Sequence, residues 1–396
     1  MSSAYRNAWE QLPESLRAAR AGAWERFVAK GFPSKREEDW RYTDLSALND
    51  ASFAGGAAAA LDDRTLQNWQ RLVFVNGQRQ SGEARTPEAL LADDGVTALN
   101  AALTRDGLDL QVPRNQKAEP LHLLSLQSGG AMSHLRHRLV LEAGAEATLL
   151  IDTRGDDSAT LSTGVLEVEI GANARLRLLR IQDAGANAND LFRSQIRVGR
   201  DARLEYVGLD LGGGLVRHDL NVQLAEPGAY AEVHGVFAPS GNTHVDTHTR
   251  ILHQAPHTTS REVFRGLVAG RAHAVFNGRI VVEKAAQKTD SEQNLASLLL
   301  SPGAEINAKP ELEIYADDVK CAHGATCGQL DEMALYYLRS RGLDADTARN
   351  LLLFAFAHEV LSRVATDDAR VEMERRLAGR LPGSAAYEGL VEGLMA

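Results

Sequence analysis

Two cysteines and a histidine occupy one short segment near the carboxyl end of the chain. Cys321, His323 and Cys327 lie within ADDVKCAHGATC. If this segment is an extended strand, Cys321 and His323 are two positions apart and project from the same face. A thiolate and an imidazole are both ligands for iron or zinc. The spacing therefore predicts part of a metal site at Cys321 and His323, with Cys327 as a further candidate.

These residues do not complete a site by themselves. Iron–sulfur clusters and structural zinc normally take four protein ligands. The remaining ligands must come from this chain, for example from Asp317 or Asp318, or from a partner subunit. A second interpretation needs no metal: Cys321 is a small buried hydrophobe and His323 a hydrogen-bonded strand residue. The residues alone leave both interpretations open.

A second concentration of histidines lies earlier in the chain, at His234, His244, His248, His253 and His257. His244 and His248 would share a strand face. No cysteine or carboxylate set accompanies them at ligand spacing, so we expect solvated strand histidines rather than a metal site.

The sequence carries none of the common catalytic signatures. It has no phosphate-binding loop, no dinucleotide-binding glycine motif and no nucleophile elbow. His358-Glu359 begins like a zinc-protease motif, but the second histidine is missing. We therefore expect a protein that is not an enzyme.

Charge and hydropathy limit the partners. The formal net charge is -10, from 43 Lys and Arg against 53 Asp and Glu, and no dense basic run occurs, so we expect no nucleic-acid partner. The longest apolar runs, such as 351–357, are too short to span a bilayer, and the amino terminus lacks a secretory apolar core. These features predict a cytoplasmic protein with free thiols and no membrane association.

The elements that position the cysteine segment are predicted from periodicity. Between about residues 122 and 314, short runs alternate apolar and polar residues, as half-buried strands do. A weak repeat (GAEATL, GANARL, GRDARL, GAYAEV) begins at Gly144, Gly171, Gly199 and Gly228, at spacings of 27, 28 and 29 residues. Related turns at Gly270 and Gly303 are irregularly spaced. A near-constant period indicates a solenoid of stacked coils, with a β-sandwich as the alternative.

Helices flank this region. Residues up to about 48 carry apolar side chains at helical spacing, and after Thr326 a helix opened by Asp331 ends at Gly342. The next helix is apolar on nearly every face, so its own domain, another chain or both must cover it. We therefore divide the chain into a mainly helical domain (1–115), a β-helix core (116–320) and a helical domain (321–396).

The segment from Phe276 to Gly328 closely resembles the SufB/SufD family of iron–sulfur cluster assembly proteins. The resemblance rests on FNGRI, AQKTD, LLLSPGAEI, KPELEI and ADDVKCAHGA in that order, with KREEDWRYTDL before them and LRSRG after them. It covers most of the chain and is faintest between about residues 51 and 130. The short length and the two cysteines favour the SufD type of chain over the SufB type.

The resemblance implies a mainly β protein, a right-handed parallel β-helix between amino- and carboxy-terminal helical domains. It also implies a non-catalytic scaffold that pairs with SufB through the β-helices and docks the ATPase SufC on helices within about 331–364. A homodimer of the isolated chain would fit this interpretation, with the edge of the β-helix pairing with a second copy. The family's functional histidine falls on His323 and the neighbouring cysteine on Cys321, whereas Cys327 departs from the family pattern. The docking residues would be Leu335, Tyr336, Leu338, Leu352, Phe354 and Phe356.

A nascent iron–sulfur cluster would form where His323 and Cys321 meet ligands of SufB, shared and transient, and a reduced flavin could join the complex. Two alternatives stay open. One is a homodimeric β-helix with a structural zinc at Cys321, His323 and Cys327. The other is a β-helix enzyme acting on polysaccharide, which the lack of an acidic cluster argues against.

Overall fold

The structure is a computed structural model that describes residues 3–53, 55, 66–83, 85, 87 and 93–381. Its helices are α1 Ser3–Glu10, α2 Glu14–Lys30, α3 Gly95–Leu103, α4 Glu332–Ser340, α5 Ala345–Leu361 and α6 Asp367–Arg380, with 3-10 turns at Glu38–Trp40 and Ser46–Asn49. Its strands are β1 Gln70–Val75, β2 Gln78–Arg79, β3 Asp109–Val112, β4 Leu121–Gln127, β5 Met132–Leu141, β6 Glu146–Gly155, β7 Leu161–Ile170, β8 Arg175–Asp183, β9 Asn189–Val198, β10 Arg203–Gly212, β11 Leu215–Leu224, β12 Tyr230–Phe237, β13 His244–His253, β14 Thr259–Val268, β15 His273–Val282, β16 Asp290–Leu299, β17 Glu305–Ile314 and β18 Lys320–Gly328.

The strands form two facing sheets. From β3 onward each strand pairs in parallel with the second strand after it, so the sheets read β18-β16-β14-β12-β10-β8-β6-β4-β1-β2 and β17-β15-β13-β11-β9-β7-β5-β3. Each coil therefore gives one strand to each sheet, which is the arrangement of a parallel β-helix of about 8 turns. The predicted fold class, a mainly β solenoid with helices at both ends, is confirmed.

The repeat in the sequence corresponds to one corner of the coil. At this corner a residue adopts a left-handed backbone conformation, which Gly, Asn and Asp tolerate best. These residues are Asn115, Gly144, Asn173, Asp201, Gly228, His257 and Lys288. Gly270 and Gly303 lie at the opposite corner, between β14 and β15 and between β16 and β17, which explains their irregular spacing relative to the others.

Helices cover the outer face of both sheets. On the ten-stranded sheet, Leu353, Val360 and Leu361 of α5, all 0% exposed, pack with Met373 and Leu377 of α6 in one apolar cluster with the outer residues of β8, β10, β12 and β14. On the eight-stranded sheet, the helices and turns of residues 5–48 and α3 pack with Leu161 and Leu191. Each large apolar side chain buried in this way contributes about 1.5–3 kcal/mol.

The two ends of the β-helix differ. At the first end β1 adds to β4, and the short strand β2 folds back antiparallel on β1. At the last end the sheets finish with β17 and β18, so the ten-stranded sheet continues past residue 320 through Lys320–Gly328. Within the described part of the chain, no helix is both long and apolar enough to cross a bilayer.

Candidate functional site at the open end of the β-helix

The last coil exposes two strand edges. Lys320 N donates to Thr289 O at 2.8 Å, so Lys320 and alternate residues after it pair with β16. The intervening residues, including Cys321 and His323, direct their backbone N–H and C=O groups to the open edge of β18. Such a row of unpaired groups is a template for pairing with another chain.

The edge of β17 is different because Pro310 interrupts it. Glu305 N and Tyr315 N donate to residues of the β15 coil, at 3.0 and 2.9 Å, so the even-numbered residues between them face outward. Pro310 is one of these, and its missing N–H therefore costs no bond within the sheet. Pro310 also interrupts the row of backbone N–H donors at the open edge of β17, so β18 has the more continuous row of hydrogen-bonding groups.

Cys321 and His323 share the interior face of β18. Cys321 is in register with Ser291 and His323 with Gln293. Ser291 and Gln293 are 2% and 1% exposed and face the interior of the β-helix. In the part of the chain that the structure describes, no further coil covers β18, so Cys321 is only half-buried and His323 is exposed. The predicted sharing of one strand face is confirmed, and both side chains can be reached from the open end.

Cys321 lies at the boundary between the core and this open surface. It packs against the apolar cluster of Ile280, Val282, Ala286 and Ala316. Burial raises the pKa of the Cys321 thiol, while a hydrogen bond from the Ser291 backbone acts in the opposite direction. Since the thiolate is the metal ligand, a metal ion at Cys321 must displace this proton.

Cys327 is too far along the strand to join this pair. At about 3.3 Å per residue, six residues of strand separate it from Cys321 by about 20 Å. Among the described residues, no three His, Cys, Asp or Glu side chains are placed to hold a metal ion. The geometry therefore argues against one zinc ion bound by Cys321, His323 and Cys327 together, and leaves Cys321 and His323 as an incomplete set.

The other histidines are mostly structural. His244 and His248 do share the outer face of β13; His244 Nδ1 lies 3.1 Å from His273 Nδ1, and His248 Nε2 lies 3.0 Å from Asp246. The expectation that these histidines are solvated is wrong for His234 and His253, which are 1% and 0% exposed. His253 faces the interior, where hydroxyl groups satisfy both ring nitrogens.

The carboxy-terminal helices divide into a covered helix and an exposed one. Among the predicted docking residues, Leu352, Phe354 and Phe356 of α5 are partly buried, as are Leu335 and Leu338 of α4, whereas Tyr336 is 69% exposed. The excess apolar surface of α5 is covered by its own chain, one of the outcomes the sequence allowed. Helix α4 buries no residue, and Met333 and Tyr337 beside Tyr336 are 74% and 56% exposed.

Two residues beneath His323 were missed in the sequence. Glu262 and Gln293 are each 1% exposed and face the interior of the β-helix. The sequence gives one indication of them: a polar residue stands at a position where the period of two requires an inward side chain. Glu262, for example, is two residues before the buried Phe264. Such a signal does not reveal which residues of other coils they meet.

The fold and this end together define a class of protein: a parallel β-helix with helices on both outer faces, whose last coil is covered by no other described residues and carries a thiol and an imidazole. Comparison with known families agrees. Residues 124–356 match the SufBD core domain of the SUF system for FeS cluster assembly, and residues 4–58 match the SufBD protein N-terminal region. The chain belongs to the SufBD family, as its motifs predicted, and has a role in iron–sulfur cluster assembly.

Individual relatives span nearly the whole chain. The iron–sulfur cluster assembly protein SufD of Escherichia coli is 31% identical over 390 residues, covering 91% of this chain and 92% of the relative. A SufBD family protein of Synechocystis is also 31% identical and covers 87% and 86%. A chloroplastic protein of Arabidopsis thaliana, ABCI7, is 27% identical and covers 92% and 86%.

Proposed function

We propose that this chain is a non-catalytic scaffold subunit that pairs with SufB through the open end of its β-helix, docks the ATPase SufC on its carboxy-terminal helices, and acts in the cytoplasm. In this proposal His323 and Cys321 supply part of a ligand set for a nascent, transiently held iron–sulfur cluster, and SufB supplies the remainder. In isolation, the same open edge would pair two copies of this chain. The division at residues 115 and 320 and the participation of a reduced flavin stay predictions.

One observation carries the proposal. Cys321 and His323 lie on the interior side of the last described strand, at an end that no other coil among the described residues covers. The backbone edge beside them is unpaired within the described part of the chain, so a partner strand that pairs there would bring its own side chains over the two ligands. Both cysteines are free thiols, which suits a reducing compartment.

A His323→Ala variant tests the ligand role. The whole complex is co-expressed and purified under anaerobic conditions, its mass is measured intact, and its iron and acid-labile sulfide are quantified. We expect the complex to assemble, because the backbone edge of β18 is unchanged. Its iron and sulfide content should fall to background, because the cluster loses the His323 ligand. Thr326→Ala, on the opposite face of the same strand, is the control and should retain both. Unchanged iron and sulfide in the His323 variant would rule out the assigned role.

A Tyr336→Ala variant tests the docking surface. Tyr336 lies between two other exposed large side chains on α4, a helix that buries none of its residues. If this patch binds SufC, removing its central aromatic ring should weaken binding by at least about 2 kcal/mol, roughly 30-fold in Kd. Calorimetric titration with SufC measures the change. Tyr42→Ala, at a tyrosine 37% exposed in the amino-terminal part, should bind like the unaltered chain. If the Tyr336→Ala variant binds SufC as tightly as the Tyr42→Ala variant does, α4 is not part of the docking surface.

A further inference from the structure

A column of polar side chains runs through the β-helix to His323. Glu262 on β14 is in register with Gln293 on β16, and Gln293 is in register with His323 on β18. Neighbouring strands of a sheet are about 4.8 Å apart, so each residue of the column lies directly above the previous one. Glu262 and Gln293 are almost completely buried, whereas His323 lies at the open end.

The amide of Gln293 is oriented by Glu262. Gln293 Nε2 donates a hydrogen bond of 2.5 Å to Glu262 Oε2. Burial raises the pKa of Glu262 to about 7, and the hydrogen bond from Gln293 acts in the opposite direction. Since the nitrogen of the planar amide points toward Glu262, its oxygen diverges from Glu262. The oxygen is therefore free to face the next coil.

Packing from the opposite sheet holds the same amide. Gly278 on β15 faces the interior, and a Cβ atom at this position would lie 2.2 Å from Gln293 Nε2. A residue other than glycine would therefore push the amide out of place. Gly278 belongs to the FNGRI motif, so this motif contributes the space in which Gln293 lies.

The amide oxygen of Gln293 has no hydrogen-bond partner among the described residues. Buried acceptors are rarely left without a donor. The neighbouring column toward Cys321 does not share this feature, because Ser260 Oγ and Ser291 Oγ lie 2.7 Å apart and His253 Nε2 lies 3.0 Å from Ser260 Oγ. Ser297 Oγ, in register with Cys327, also lacks a partner among the described residues, but the oxygen of Gln293 is the one beneath His323, whose neutral ring carries one N–H.

We propose that Glu262 and Gln293 are positioning residues for His323. His323 makes no hydrogen bond to Gln293 in this structure; in the proposal its ring turns toward the column, so that Gln293 Oε1 accepts a hydrogen bond from one ring N–H. This bond selects one tautomer and directs the other ring nitrogen to the open end as an iron ligand. Metal-binding histidines commonly have such a partner on the second nitrogen. This inference rests on the proposed role of His323 and adds the residues that orient it.

Nuclear magnetic resonance of the full chain with nitrogen-15 histidine tests the inference. The His323 signals are identified by their loss in His323→Ala, and the ring nitrogen shifts report the tautomer at a pH of about 8, well above the ordinary histidine pKa. We expect one dominant tautomer in the unaltered chain. A tautomer mixture equal to that of a free histidine side chain would overturn the inference, and this measurement needs no variant at position 293.

Variants then assign the effect to Gln293. In Gln293→Met, of similar size and without a polar atom, the tautomer ratio should fall at least about fivefold toward the free value, the effect of one lost hydrogen bond. Ser297→Ala, at a buried position on the same strand and in register with Cys327, should leave the tautomer ratio of His323 unchanged. An unaltered ratio in Gln293→Met would overturn the inference.

The co-expressed complex separates the two proposals. Gln293→Met should weaken metal binding about 10- to 100-fold, the usual effect of removing a partner of a ligand, and so lower the iron and sulfide content of the complex. If His323→Ala abolishes the cluster and Gln293→Met does not lower it, only the positioning role fails. If His323→Ala leaves the cluster intact, the proposed function itself fails.

Discussion

An Arg217→Ala variant should lose about 3–5 kcal/mol of unfolding free energy and release the amino-terminal turns from the β-helix. Arg217 lies on the outer face of β11 and is 2% exposed. Its guanidinium contacts Asp219 at 2.8 Å and Asp246 at 2.7 Å, donates to the backbone oxygen of Asp39 at 2.7 Å, and lies 3.8 Å from the ring centroid of Trp40. Trp40 is part of the KREEDWRYTDL motif, so the motif has a structural role here.

The size of the effect follows from the carboxylate left behind. Burial alone would raise the pKa of Asp246, but Arg217 and His248 more than offset burial and hold it at about 2. Without Arg217, a carboxylate that is 1% exposed loses its main counter-charge. Removing one partner of a buried ion pair is costly because the other charge remains buried.

Urea unfolding measures the stability change, and limited proteolysis between residues 38 and 49 measures the release of the turns. The matched control is Arg250→Ala, an exposed arginine on the neighbouring strand β13 that is in register with Asn221. Arg250→Ala should change the free energy of unfolding by less than about 0.5 kcal/mol. A loss below about 1 kcal/mol in Arg217→Ala, with unchanged proteolysis, would show that this network does not hold the amino-terminal turns.

Acidification from pH 7 to pH 5 should destabilise the chain by roughly 4 kcal/mol. Burial lowers the pKa of His134 to about 3 and the pKa values of His137, His244 and His253 to about 4. At a pH between these values and the ordinary histidine pKa of about 6.5, the four histidines bind protons in the unfolded chain but not in the folded chain. Stability from these histidines is therefore fully present above pH 6.5 and is lost as the pH falls.

The magnitude depends on two opposing sets of groups. At pH 5 each of these histidines costs about 2 kcal/mol, or about 8 kcal/mol together. Burial also raises the pKa of Glu262 to about 7 and of Asp190 to about 6, so the folded chain takes up these protons as the pH falls and regains about 4 kcal/mol. The histidines outweigh the carboxyl groups, and burial also lowers the pKa values of His218 and His234, which adds to the loss. The net loss is a large fraction of the roughly 5–15 kcal/mol that stabilises a typical domain.

Urea unfolding at the two pH values measures this loss, and a single substitution assigns part of it. His253→Gln keeps hydrogen-bonding groups near Thr258 and Ser260 but cannot take up a proton, so it should reduce the difference by about 2 kcal/mol. His257→Gln, at an exposed corner, is the control and should leave the difference unchanged. Stability that is equal at both pH values, or higher at pH 5, would contradict the histidine assignment.

Features with short sequence separation could be predicted from the sequence. The period of two identified the strands, and the spacing of Gly144, Gly171, Gly199 and Gly228 identified one corner of successive coils. Cys321 and His323 share a face because they are two residues apart in one strand, whichever other strands surround them. Asp331 as the start of α4 is likewise a local property, since its side chain accepts hydrogen bonds from the first turn of that helix.

Features that join distant residues required the tertiary structure. Glu262, Gln293 and His323 come into register at separations of 31 and 30 residues, and the coils are too variable in length for the sequence to specify this register. The covering of α5 and the exposure of α4 depend on which helix reaches the sheet, although both are apolar. The open end exists because no strand follows β18 within residues 329–381. Local spacing determines the face from which a side chain projects, but only the stacking of coils determines what that face meets.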